Sequence, residues 1–152
     1  MTDLILPATA LATALAFIGL GGGLYEVGVI DPAWPRRPDL IQPDHGGISR
    51  KRFWIPAHAT FEVLLVIALA LSWSIADVRF WLLVAMASHT VMRFWSAFDF
   101  IPKALAFEKA APGPETEAAA RRWTRRSLAR LPLDILDCGA MLAATIAAAG
   151  IA

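Results

Sequence analysis

Cysteine occurs once in the 152 residues, at Cys138, which excludes an internal disulfide and any multi-cysteine metal or iron–sulfur site. Met1–Asp3 carries no basic side chain, and the apolar run behind it is too long for a secretory h-region, so that run is expected to be retained as a helix. The chain shows no internal repeat and no low-complexity tract beyond alanine-rich helix. The paired Glu-x-x-His spacing of di-iron bundles is also missing, since the order within one apolar run is His58-x-x-x-Glu62.

What is abundant is apolar sequence. With 57% hydrophobic residues and a mean hydropathy of +0.55, the chain is too apolar for an ordinary soluble domain. Four runs, residues 4–30, 54–76, 79–101 and 131–152, each approach the ~20 residues that span a ~30 Å hydrocarbon core. The expected fold is therefore all-α: a single transmembrane domain, residues 1–152, folded as an integral membrane four-helix bundle. Basic residues alternate with the runs. Arg36, Arg37, Arg50, Lys51 and Arg52 separate the first two, and Lys103, Lys109, Arg121, Arg122, Arg125, Arg126 and Arg130 separate the last two, whereas the Ser74–Arg79 turn has only Arg79. The positive-inside rule then places both long loops in the cytoplasm and both termini outside, in a bacterial-type inner membrane. The first loop, rich in proline and with Gly46–Gly47, is expected to be ordered but irregular, with Trp34 and Trp54 at headgroup level. In the second, Glu115 and Glu117 favour a helix N-terminus, and residues 118–130 read as a basic interfacial helix facing lipid headgroups, with no sign of nucleic-acid binding.

Eight ionisable residues interrupt the apolar runs: Glu26, His58, Glu62, His89, Arg93, Asp99, Asp134 and Asp137. Each costs roughly 2.5–3.5 kcal/mol or more at a bilayer centre without a partner. A helical rise of ~1.5 Å per residue puts Glu26, His58 and Asp134 roughly 5–6 Å from the cytoplasmic ends, Asp137 about 9 Å, Glu62 and Arg93 about 12 Å, and His89 about 18 Å. The outer half holds none, which points to a cytoplasm-facing pocket instead of a channel. His58/Glu62 and His89/Arg93 are both spaced i,i+4, so each pair shares one helical stripe. Glu62 and Arg93, at equal depth, also suit a plain ion pair between helices, and Asp99, Asp134 and Asp137 suit acceptors of loop N–H groups or loop arginines. Tyr25 and Glu26 end the first run, whose glycines suit close helix packing or a flat ligand.

Three chemistries are open to this set. A non-haem iron or other divalent metal could take Glu26, His58, Glu62 and His89. A haem could take one histidine as axial ligand, walls that include Phe53, Trp54 and Phe61, and Arg50 or Arg52 for its propionates. A cofactor-free site could use Glu62 or Asp99 as base, with Arg93 facing developing negative charge.

Two segments carry a resemblance. Trp54-Ile55-Pro56-Ala57-His58 and Phe94-Trp95-Ser96-Ala97-Phe98-Asp99-Phe100-Ile101-Pro102 resemble the corresponding parts of the styrene oxide isomerase family, small four-helix membrane enzymes. The resemblance implies that His58 is the axial ligand of a haem b, held in a homotrimer and acting as a Lewis acid on an epoxide oxygen. It also implies that Trp95 stands where the family has a substrate-contacting tyrosine. Leu64 and Ala87 depart from the family's asparagine and aspartate at those positions, which separates this chain from an identical isomerase. The four-helix layout with Gly23-Leu24-Tyr25-Glu26 is also similar to the anthrone-oxygenase-like family, which acts on hydrophobic aromatic compounds. The resulting expectation is an enzyme for a small hydrophobic substrate, with His58 as metal ligand, Arg50, Arg52 and Trp54 around the cofactor, and Tyr25, Glu26, Glu62, His89, Arg93, Trp95 and Asp99 at the reacting centre. The alternatives are an oxygenase of aromatic or polyketide-like substrates and a non-enzymatic haem- or lipid-binding subunit of a membrane complex.

Overall fold

The computed structural model describes residues 2–151, and among these every regular element is helical. Helix α1 (Ile5–Tyr25) widens at its end into one π-helical turn, Glu26–Ile30. A loop containing the short 3-10 turns Pro38–Ile41 and Pro43–His45 leads to α2 (Lys51–Leu71). A tight turn then starts α3 (Ala76–Trp95), which likewise ends in a π-helical turn, Ser96–Phe100, and runs on as α4 (Ile101–Phe107). Helix α5 (Pro114–Ser127) and the 3-10 turn Leu128–Arg130 precede α6 (Leu131–Ala149). The spans thus begin and end close to the expected places, α2 being shifted toward the N-terminus and α3 continuing beyond its expected end.

Three stretches are long and apolar enough to cross a membrane: Ile5–Ile30, Lys51–Leu71 and Pro114–Ala149. Helix α3 is not among them, because Asp77, Arg79, Ser88, His89 and Arg93 dilute its apolar residues. Two of those five polar residues, Ser88 and His89, are buried where α3 packs along α6, and Arg93 pairs with Glu62 of α2.

The four long helices run alternately up and down, α1 packing on α2 and α6, and α3 on α6 and α2. Ile5, Ala8, Ala12 and Ala16 recur at helical spacing on one face of α1 and meet Ala140, Met141, Ala144 and Ala148 of α6. Small side chains let these backbones approach, and Thr13 Oγ1 can then donate to the Met141 carbonyl at 3.0 Å while lying 2.8 Å from Thr145 Oγ1. Phe61 and Leu65 of α2 and Leu82 and Ala85 of α3 complete this core.

A second core caps the end that carries the long loops. Trp34, Ile41, Phe100, Ala120 and Trp123 are all buried there. Trp34, expected at headgroup level, is fully buried within the protein, because the proline-rich loop folds back over the bundle, and its indole N–H donates to Asp31 at 3.0 Å. Trp123 likewise donates to the Phe100 carbonyl at 3.2 Å, fixing α5 against the π-turn of α3. Gln42 joins the two loops by donating to the carbonyls of Phe107 and Ala110. Gly46 takes φ 83°, a left-handed conformation that ends the turn at His45.

If the alanine-lined α1–α6 contact is a close-packed seam, Ala12→Leu should overpack it and cost about 1–3 kcal/mol. A lowered unfolding midpoint of the detergent-purified protein is the expected reading, and an unchanged midpoint would show that the seam has slack.

Candidate active site

The four long helices do not fill their interior at the loop end. A cavity of about 430 Å³ remains there, within the size range of small-molecule sites. Its apolar wall includes Leu15, Ala16, Leu20, Phe61 and Met92, and its polar groups include Glu26, Arg50, His58, His89, Arg93, Arg130, Asp134 and Asp137. Both π-turns contribute to this wall, through Glu26 and Val27 on one and Ser96 and Phe100 on the other. An extra residue in a helical turn re-aims the side chains that follow it, and such turns recur at functional sites.

At the centre of the polar set is His89, which is 7% exposed. Its Nε2 lies 3.2 Å from Glu62 Oε1, the same oxygen that accepts from Arg93 Nε at 2.9 Å. On its other side, Nδ1 is 3.8 Å from Asp137 Oδ2, longer than a hydrogen bond. Four charged or chargeable groups from α2, α3 and α6 thus form one line: Arg93, Glu62, His89, Asp137. Phe61 packs edge-on against the His89 ring at 4.8 Å and holds it in place. Asp137 is 5% exposed, and its Oδ1 is buried with no hydrogen-bond partner among the described residues.

His58 stacks on Trp54 at 5.3 Å and approaches the His89 ring at 5.5 Å. Trp54 in turn donates its indole N–H to Glu26 Oε1 at 2.9 Å, tying α2 to α1. Near the mouth, the Arg50 guanidinium lies between the rings of Trp34 and Trp123, and Arg130 lies over Phe100 while donating to Ser96 and Ser127. Asp31, which follows the first span, is buried beside them. Burial raises its carboxyl to about 6, against the opposing pull of the Trp34 N–H and of Arg50 and Arg130.

Of the residues singled out from sequence, Glu26, Arg50, Trp54, His58, His89 and Arg93 do line the cavity. Glu62 stands behind them, half-exposed on the outer surface, and reaches the site only through His89 and Arg93. Four others do not line it. Tyr25 is exposed, one residue and hence about 100° around the helix from the inward-facing Glu26. Arg52 is exposed, two residues from the inward-facing Arg50. Trp95 packs edge-on against Phe100 in the aromatic cap. Asp99 is taken up by Lys103 and by Arg126, the latter at 2.5 Å. Nor does Asp137 accept from a loop N–H group among the described residues; its Oδ2 lies beside His89 Nδ1 and its Oδ1 has no partner.

Sequence reasoning missed Arg130 and undervalued Asp137. Pro132, a residue suited to the first turn of a helix, marked Arg130 as the start of α6 and not as part of a free basic loop. Glu26 is engaged by Trp54, and Glu62 by Arg93 and His89. The quartet Glu26, His58, Glu62 and His89 is accordingly not gathered around a point, and among the described residues no three His, Cys, Asp or Glu side chains form a metal-binding group.

Among the glycines of α1, Gly22 faces the Phe53 ring and Gly23 faces Leu131 and Trp54, so both are packing positions. Gly19 is different. Like Gly23 it lines the cavity, but a Cβ placed there would meet nothing within 4 Å. Comparison with family models, with curated proteins and with solved structures finds no match. Function is therefore argued from the cavity itself.

The Glu62–Arg93 pair gives a direct test of the charge line. Glu62→Leu alone leaves Arg93 without its carboxylate, whereas Glu62→Leu with Arg93→Leu removes both charges. The single variant should therefore unfold at lower temperature than the double variant, and strict additivity of the two single effects would contradict the pairing.

Proposed function

We propose that the protein is a membrane-integral enzyme that isomerises a small hydrophobic substrate in the loop-end cavity by proton transfer through Asp137 and His89. The supporting observation is Asp137: it lines a largely apolar cavity, its Oδ2 lies beside the His89 imidazole, and its buried Oδ1 is bonded to nothing among the described residues. Unpartnered buried polar atoms are rare and cluster where a ligand or a reaction uses them. In this reading all four long helices cross a bacterial-type inner membrane, α3 included, since its polar side chains serve the cavity. The long basic loops lie in the cytoplasm and both termini outside. Substrate arrives dissolved in the bilayer and turns its polar atom toward Asp137.

The chain's own groups then divide the work. Asp137 holds or takes the proton at the substrate's polar atom. His89 faces Asp137 through Nδ1, and Glu62, accepting from Nε2, fixes the ring's orientation. Arg93 donates to the same Glu62 oxygen and holds it in place. Leu15, Leu20, Phe61 and Met92 exclude water around them. An isomerisation such as epoxide to aldehyde needs no co-reactant, which suits a site built from acid–base groups.

Haem b, implied by the resemblance, fits the donors present. The His58 ring makes aromatic contacts and no hydrogen bond among the described residues, and the glycine at 19 leaves the wall of α1 flat. His58 would hold such a group, with Trp54 stacked on the ligating ring, and a bound ferric haem supplies a Lewis acid for a substrate oxygen. Glu62 and Arg93 have a further consequence. Their side chains are 43% and 36% exposed, and Glu62, which does not line the cavity, stands at a depth where lipid tails would face it. A charged pair in that position is costly, so a homo-oligomer, a trimer by the resemblance, covers this face.

Detergent-purified protein incubated with an aryl epoxide should release the aldehyde, and Asp137→Asn should lower turnover at least about 100-fold with the unfolding midpoint retained. Undiminished turnover in Asp137→Asn removes Asp137 from the chemistry, and a wild-type protein without turnover is a binding subunit. After expression with ample haem, a Soret band that His58→Ala abolishes or shifts supports ligation by His58. No band in the wild type removes the haem.

A further inference from the structure

Two donors at the mouth of the cavity are left over once every internal contact is counted. Arg50 Nη2 and Arg130 Nε are both buried, and neither has a hydrogen-bond partner among the described residues. Both guanidiniums are nonetheless held firmly. Arg50 lies 5.8 Å from the Trp34 ring centre and 5.5 Å from that of Trp123. Arg130 lies 4.4 Å from the Phe100 ring, with Nη1 donating to Ser96 at 3.1 Å and Nη2 to Ser127 at 2.6 Å. Aromatic faces and hydroxyls fix the planes of these two groups without using up their N–H edges.

Nearby carboxylates do not fill the gap. Glu26 accepts from Trp54, Asp31 accepts from Trp34, and Asp134 makes no ion pair among the described residues. Neither Arg50 nor Arg130 belongs to any of the ion pairs found among those residues. The three acids lower the cost of burying two cations through the field they set up, yet none of them reaches Arg50 Nη2 or Arg130 Nε, and both residues line the cavity. A planar guanidinium with open N–H positions is shaped for a carboxylate or a similarly delocalised oxyanion.

We propose that Arg50 and Arg130 form an oxyanion subsite and that the cavity's ligand is a small amphiphile carrying a carboxylate at its cytoplasmic end. Its apolar body lies along Leu15, Leu20, Phe61 and Met92, and its far end reaches Asp137. This rests on the reading that the cavity takes a small hydrophobic molecule, and it adds the class: an aryl or alkyl acid in place of a neutral hydrocarbon or epoxide alone. The same anionic chemistry is present in phosphate headgroups of membrane lipids, so the two sources need separating.

Three ligands of one shape decide it: phenylbutyrate, phenylbutanol and phenylbutylamine, titrated by calorimetry into the full-length protein in phosphatidylcholine nanodiscs. The acid should bind about tenfold or more tightly than the alcohol, as one charge-assisted contact allows, and the amine most weakly. Arg50→Gln should erase the preference of acid over alcohol while the alcohol still binds. Arg50→Lys, which keeps the charge and loses the planar fork, should fall between. Equal binding of acid and alcohol by the wild type overturns the subsite and leaves the cavity reading standing, whereas no binding of either overturns that reading itself. Repeating the titration in phosphatidylglycerol nanodiscs separates the sources: retained acid binding supports a small amphiphile, and its loss gives the subsite to a lipid headgroup and overturns the proposal.

Discussion

An ionisable group withdrawn from water must find a partner, and the architecture of this chain follows from how each one does. Arg93, Glu62, His89 and Asp137 solve the problem jointly, as a line of charge that runs from the outer surface of α2 and α3 to the interior face of α6. The line ties three helices together at one height. It also fixes their rotation, because His89 can face both carboxylates only if α3 presents that stripe inward. The last member, Asp137, is the one whose second oxygen remains unanswered.

The two ends of the bundle are packed with different materials, and the cavity is the consequence. At the end holding the termini, Ile5, Ala8, Ala12, Ala144 and Ala148 let α1 and α6 close together. At the loop end the rings of Trp34, Phe100 and Trp123 fill the space between loops and helices. Side chains of that size cannot continue an alanine seam, so the helices must separate between the two layers. Separation leaves volume that is apolar deep in the bundle and polar toward the loops. Both π-turns fall at this transition, where a regular helix would aim the residues that follow, Asp31 and Ile101, differently.

Periodicity made the helices, the loop-end location of the polar residues and the Glu62–Arg93 pairing legible in the sequence, since i,i+4 spacing and rise per residue are local properties. What escaped it was rotation. Tyr25 and Arg52 lie one and two residues from Glu26 and Arg50, close enough in sequence to be grouped with them and far enough around the helix to face outward. Trp95 is two residues beyond Arg93 and likewise turns toward another neighbour, Phe100. The burial of the loop tryptophan Trp34 escaped it for a different reason. A proline-rich segment does not announce in its own composition whether it spreads along an interface or folds over the bundle. Here the Gln42 contacts to α4 and the residues after it decide the matter, and these span more than sixty positions of chain.

Arg130 shows the same limit most clearly. Counted with Arg121, Arg122, Arg125 and Arg126, it looks like one more cation on a basic helix facing headgroups. Yet Leu128–Arg130 tightens into a 3-10 turn before Pro132, and this carries the side chain under the aromatic cap, where it meets Phe100, Ser96 and Ser127. The neighbouring Arg126 stays outside and pairs with Asp99. A basic segment thus divides between two tasks at a single change of helical pitch. The outer arginines remain available to solvent or headgroups, while the last is built into the wall of the cavity opposite Arg50. The charge of this loop is therefore shared between the protein's outer surface and the wall of the cavity.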